Sequence, residues 1–316
     1  MVMSVAFING WTDAPNSVAA CVSTGVLPIK KALFISAISD FAGSITVGML
    51  NGKVSERIIN LSSYGNDRNL YLISVFSAML SVFIFAYISR CFGLPTSESH
   101  ALLAGILGSS VRINDGFKNI NMNGWIDTCA GLIISILVGY IFSVLIMKLT
   151  RFYAKKYNLL FEFKKIRILS CILSAFIHGA QDSQKFTAIA LSIFCSNENL
   201  FNHFELKVTI LTALIISTGI LTSGDKIIKT VGDDLVKLNN MQGFSADISG
   251  ILCILLFTLC GYPLSTTHVK ISAIMGAGSV GGKINTKTAT ELFLSWIITF
   301  PVCAVMSYII TRILIK

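Results

Sequence analysis

Four stretches of the chain, at 69–89, 128–147, 248–269 and 292–311, contain no Asp, Glu, Lys or Arg. An α-helix rising 1.5 Å per residue needs about 20 apolar residues to cross about 30 Å of hydrocarbon, so each is long enough for a membrane span. The composition agrees: 53% of residues are hydrophobic and 13% charged, against about 25% charged in soluble domains. Mean hydropathy is +0.73. Shorter apolar stretches at 17–39, 41–50, 168–181, 186–195 and 208–224 read as further spans, half-helices or re-entrant segments. The expectation is an all-α polytopic membrane protein with roughly eight to twelve crossings in a lipid bilayer.

A net charge of +9 would suit nucleic acid if the bases covered a soluble face. They do not. Seven of the 25, Lys148, Arg151, Lys155, Lys156, Lys164, Lys165 and Arg167, fall in one polar linker. The excess of Lys and Arg marks that linker as cytoplasmic. It divides the chain into a first transmembrane repeat at 1–147, a linker at 148–167 and a second repeat at 168–316. The start has no basic region followed by a small-residue cleavage site, so no removable signal peptide is expected. The eight cysteines form no CxxC pair and read as small buried hydrophobes.

The halves repeat each other. "GLPTSESHALLAGILGSS" (93–110) aligns without a gap on "GYPLSTTHVKISAIMGAG" (261–278), with Gly93 on Gly261, Pro95 on Pro263, Ser97 on Ser265 and His100 on His268, a spacing of 168. "NGWTDAPN" (9–16) aligns on "HGAQDSQK" (178–185), with Gly10 on Gly179 and Asp13 on Asp182, a spacing of 169. Duplication in a multispanning chain is a common plan of secondary transporters, whose sites lie at the repeat interface. Hydropathy alone leaves open whether the repeats are inverted.

The repeated residues carry two chemistries. A carboxylate in hydrocarbon costs about 2.5–3.5 kcal/mol even on lenient scales, so Asp13 and Asp182 should face a partner or cavity. With Asn16 and Gln184 as neighbouring oxygen donors they suit a hard cation such as sodium, or a proton. In the second motif a Gly and a Pro interrupt the apolar run. Ser97 and Ser99 in one copy, and Ser265, Thr266 and Thr267 in the other, then open a new helix whose N–H donors and dipole suit a phosphate-like anion. His100 and His268 lack metal-ligand spacing and read as structural hydrogen-bonding residues within each hairpin. "GAGSVG" (276–281) has no βαβ context and reads as close helix packing. A duplicated Ser/His pair argues against a hydrolase, which needs one asymmetric nucleophile and base, so no enzyme is expected.

On "GWTDAPNS", "HGAQDSQK", the hairpins "PTSESH" and "PLSTTH", and "TSGDKIIKTVG" (222–232), the chain resembles the inorganic phosphate transporter family. The resemblance implies an inverted-repeat secondary transporter in which two re-entrant helical hairpins meet two broken helices. It implies symport of inorganic phosphate with sodium or protons by alternating access, across the cell membrane and without a cofactor. Asp13, Asn16 and Asp182 would hold the coupling cation. Asp40, where the family usually has an intramembrane glutamate, joins them. Ser97, Ser99, Ser265, Thr266 and Thr267 would hold phosphate, with Thr12, Gln181, Gln184 and Lys185 near it, and Glu98 adds a proton site. Only eight residues precede Asn9, so the expectation is a late start or an absent first helix. Sulfate is the alternative substrate, and a homodimer is an assembly this reading allows.

Overall fold

The computed structural model describes residues 1–50, 53–61, 67–157, 163–194 and 198–315, and the described residues are helical with short connections. The first half contains α1 (Val2–Thr12), α2 (Asn16–Ser23), α3 (Ile29–Leu50), α4 (Lys53–Ile59), α5 (Arg68–Cys91), α6 (Glu98–Ile113) and α7 (Met122–Tyr157). The second contains α8 (Phe163–Phe194), α9 (Glu198–Leu221), α10 (Asp225–Lys229) running into a π-helical turn (Thr230–Asp234), α11 (Asn240–Leu259), α12 (Thr266–Ser279) and α13 (Thr286–Leu314). Among the described residues, five helices are long and apolar enough to cross a membrane: α5, α7, α11, α13 and the Phe204–Leu221 part of α9. α7 and α13 turn Ile126, Ile133, Leu137, Ile141, Ile297, Ile298 and Ile313 outward. Such an apolar surface is tolerable in lipid and not in water.

The charge-free run at 248–269 is not one span, and the reason is local. α11 ends where Gly261 adopts φ +75, with Tyr262 N–H donating to Phe257 O at 2.9 Å. Pro263 follows, and Ser265 caps α12 by accepting from His268 N–H at 3.1 Å. The first half does the same. Gly93 has φ +70, Leu94 N–H donates to Ser89 O at 3.0 Å, and Ser97 accepts from His100 N–H at 3.1 Å. A left-handed glycine stops a helix and a hydroxyl starts the next, which makes each repeated motif a helical hairpin.

The other motif behaves differently in its two copies. In the first, Pro15 lacks an N–H and the helix breaks between α1 and α2. In the second, Gln184 stands at that position and α8 continues through Asp182, so one of the two expected breaks is present. The expected pieces at 168–181 and 186–195 are therefore a single helix. The basic segment expected as a linker is helical on both sides of residues 158–162, which lie outside the described residues.

The halves interlock. α6 of the first half packs on α13 of the second, and α12 of the second on α7 of the first. Likewise α1 packs on α9 and α8 on α3. The motif glycines permit the last pair of contacts: a Cβ on Gly10 would lie 2.0 Å from Ile216 O, and one on Gly179 would lie 2.1 Å from Asp40 O.

Candidate functional site

The hairpin starts and the two aspartates meet in the interior. Asp13 and Asp182 are fully buried, as are Asp40, Glu98, Lys185 and His178 to within 1%. Thr266, the first residue of α12, donates to Asp13 Oδ2 at 3.1 Å and lies 3.3 Å from Asp182 Oδ2, bridging the two carboxylates. Asn16 donates to Asp13 Oδ1 at 3.3 Å and to Thr267 Oγ1 at 3.0 Å. Lys185 Nζ lies 2.5 Å from Asp182 Oδ1 and 3.2 Å from Leu264 O, and it also donates to Ser99 Oγ. Thr12 donates to Glu98 Oε1, and Glu98 lies beside Asp13. One cluster thus draws on both hairpins and on both copies of the aspartate motif.

Asp40 joins through a histidine. His178 Nδ1 is 2.7 Å from Asp40 Oδ1, and its Nε2 is 3.5 Å from Asp182 Oδ2. Asp13, His178 and Asp182 each bring a ligand atom within 4.8 Å of the other two. Asn9 donates to Asp182 Oδ2 at 2.9 Å. Several buried oxygens here have no hydrogen-bond partner among the described residues: Asn9 Oδ1, Asn16 Oδ1, Asp40 Oδ2 and Glu98 Oε2. Unpaired buried acceptors are costly, and amide and carboxylate oxygens are the ligands a hard cation uses.

The expected residues divide. Asp13, Asn16, Asp182, Thr12, Ser99, Thr266 and Thr267 line the cluster, and Asp40 reaches it through His178. Ser97 and Ser265 use their hydroxyls to cap α6 and α12, leaving the N–H groups of the first turn as their contribution. Gln184 donates to Ala180 O at 2.8 Å, one turn back along α8. Gln181 faces Thr258 and lies 3.5 Å from Tyr262 O. The sequence reading does not single out Asn9 and His178, although they occupy matched positions immediately before the motif glycines.

The hairpin histidines do not make the side-chain bonds expected of them. Their backbone N–H groups meet the serine caps, while His268 Nδ1 and Nε2 and His100 Nδ1 have no partner. The rings lie edge-on to each other at 5.2 Å, with His268 against Trp296 at 4.1 Å. Both histidines line an open apolar pocket of about 380 Å³ together with Leu132, Ile136, Phe293 and Phe300.

Fold and site together define a polytopic membrane protein whose repeated motifs converge on one buried charged centre. Comparison with known proteins gives the family. The phosphate transporter family model matches residues 9–161 and 153–307. A "probable low-affinity inorganic phosphate transporter" of Bacillus subtilis is 29% identical over 311 residues, 96% of this chain and 92% of the relative. The protein of the same description from Rhizobium meliloti is 29% identical over 309 residues, 95% of this chain and 90% of the relative. A solved structure described as "the sodium-dependent phosphate transporter" superposes with a TM-score of 0.86 over 99% of this chain and 96% of that one, at 21% identity. The chain belongs to the phosphate transporter family, and it is a transporter rather than an enzyme.

Proposed function

We propose that the protein carries inorganic phosphate across the cell membrane together with a cation, by alternating access. The observation behind this reading is the charge balance of the centre. Four carboxyl groups, of Asp13, Asp40, Asp182 and Glu98, are buried with two basic side chains, of Lys185 and His178. A site with excess acid repels a phosphate dianion unless cations enter with it. Asp13 and Asp182, with Asn16 Oδ1 and Asn9 Oδ1, form the coupling-cation site. Ser99, Thr266, Thr267, Lys185 and the first-turn N–H groups of α6 and α12 hold the phosphate oxygens.

Cation entry also supplies the driving force, since the membrane potential opposes each inward negative charge by about 2.3 kcal/mol per 100 mV. The description of the solved relative supports sodium. Glu98, a carboxyl where the second half has Thr266, makes a proton the alternative. Carboxylates favour phosphate over sulfate, because hydrogen phosphate donates a hydrogen bond that sulfate lacks. The test is uptake of labelled phosphate into liposomes under an inward sodium or proton gradient, with unlabelled sulfate or phosphate as competitor. Uptake that follows sodium and resists sulfate supports the full reading. Uptake blocked equally by sulfate would make the substrate a general tetrahedral anion.

A further inference from the structure

α8 carries a buried polar stripe that runs on from the central site, and its Arg167, Ser170 and Ser174 have no part in that site. Arg167, Ser170, Ser174, His178 and Asp182 recur every three or four residues, each no more than 1% exposed. The stripe extends about 22 Å along the helix, from the basic end to the centre. Beside it, Lys270 of α12 is 3% exposed and donates to Ser174 Oγ. Its side chain crosses Gly250, where a Cβ would lie 3.1 Å from the lysine Cδ. Ser174 donates to Ser17 O at 3.1 Å.

Arg167 lies 2.5 Å from Asp247 Oδ2 and 3.1 Å from Thr24 Oγ1, while its Nε has no partner. Ser170 donates to the same Asp247 oxygen at 2.8 Å. Asp247 is thus paired with Arg167, and Lys270, though near enough to feel the same carboxylate, has no ion pair among the described residues. A buried ammonium without a counter-charge is unfavourable.

For five residues around this stripe the internal repeat has no polar counterpart. Shifting by 168 or 169 places Lys270 on Leu102, Asp247 on Met79, Ser174 on Val5, Ser17 on Phe186 and Thr24 on Ile193. Every counterpart is apolar and packs in or against the hydrophobic core. The central motifs are duplicated, whereas Ser17, Thr24, Ser174, Asp247 and Lys270 have apolar counterparts; they lie towards the basic end of α8, cytoplasmic by its excess of Lys and Arg.

We propose that Lys270 and Arg167, with Ser170, Ser174 and Thr24, form a second oxyanion station, on the cytoplasmic side of the central site. Phosphate moving between the centre and the cytoplasm pauses there and supplies the missing negative charge. The ammonium and the guanidinium give charge-assisted bonds to its oxygens. The inference rests on the phosphate symport reading.

The test compares the native chain with Lys270→Leu, which copies the first half, and with Lys270→Arg. Equilibrium binding of labelled phosphate to the purified protein is measured beside phosphate flux in liposomes. Lys270→Leu is expected to keep the affinity of the central site within about two-fold, because Lys270 bonds to Ser174 and, among the described residues, to none of those that hold phosphate at the centre. Its flux is expected to fall about ten-fold, the effect of losing one charged contact, and Lys270→Arg to restore it. If Lys270→Leu does not purify as a folded protein, Lys270→Gln takes its place with the same expectations. Native flux in the uncharged variant, equal loss of flux and binding, or a failed rescue by Arg would each overturn the station. A native chain that neither binds nor moves phosphate would instead overturn the symport reading beneath it.

Discussion

Asp182 is the most heavily engaged residue of the centre, with Asn9, Lys185, Thr266 and His178 all directed at its two oxygens. Asp182→Asn preserves the shape and removes the charge, leaving Lys185 buried without its carboxylate. Breaking a buried pair this way costs about 3–5 kcal/mol. A thermal melt in detergent should register that loss, and cation-driven uptake should fall at least about a hundred-fold. Ser265→Ala should behave differently. It removes a helix cap worth about 1 kcal/mol, so the melting temperature drops while phosphate affinity stays near native. The two aspartates and the hydroxyl runs are legible in the sequence because each occurs twice in register. Asn9 and His178 are not, since the partner that gives His178 its role, Asp40, lies 138 residues away in the chain. Ser97 and Ser265 read as ligands because a hydroxyl opening a helix beside an anion site has the same sequence signature as a cap.

At the scale of elements, glycine decides where helices stop and how closely they approach. Gly25 has φ +69 and open space within 4 Å of the point a Cβ would occupy, while a Cβ on Gly10 would meet Ile216 O at 2.0 Å. Gly25→Ala should therefore cost only about 1–2 kcal/mol of backbone strain. Gly10→Ala must push α1 off α9, and overpacking of that kind costs about 1–3 kcal/mol or more. The amount of monodisperse protein recovered by size exclusion should separate the pair, with Gly10→Ala the poorer. Existence of the apolar helices can be read from the charge-free runs, but their ends cannot. The run at 248–269 looks like one span by its lack of charge alone, whereas Gly261, Pro263 and the hydroxyl run mark the hairpin that the backbone forms there. Conversely, the second broken helix that the resemblance implies is not formed at Asp182, where α8 is continuous and no proline stands at the position of Pro15.

At the scale of the molecule, each half contributes one hairpin and one aspartate to a single centre, and each hairpin packs on the closing helix of the other half. That interlocking explains why the repeat is the most informative feature of the sequence and why neither half alone contains the site. The central claim is that phosphate movement is tied to cation movement through Asp13 and Asp182. The most direct test is net movement of labelled phosphate in liposomes loaded with phosphate at a higher concentration than outside, under an inward sodium gradient and, separately, an inward proton gradient. The account predicts further accumulation against the phosphate gradient under one of the two cations, lost when that gradient is collapsed and lost in Asp13→Asn. Phosphate that only runs down its own gradient, whichever cation is present, would contradict it.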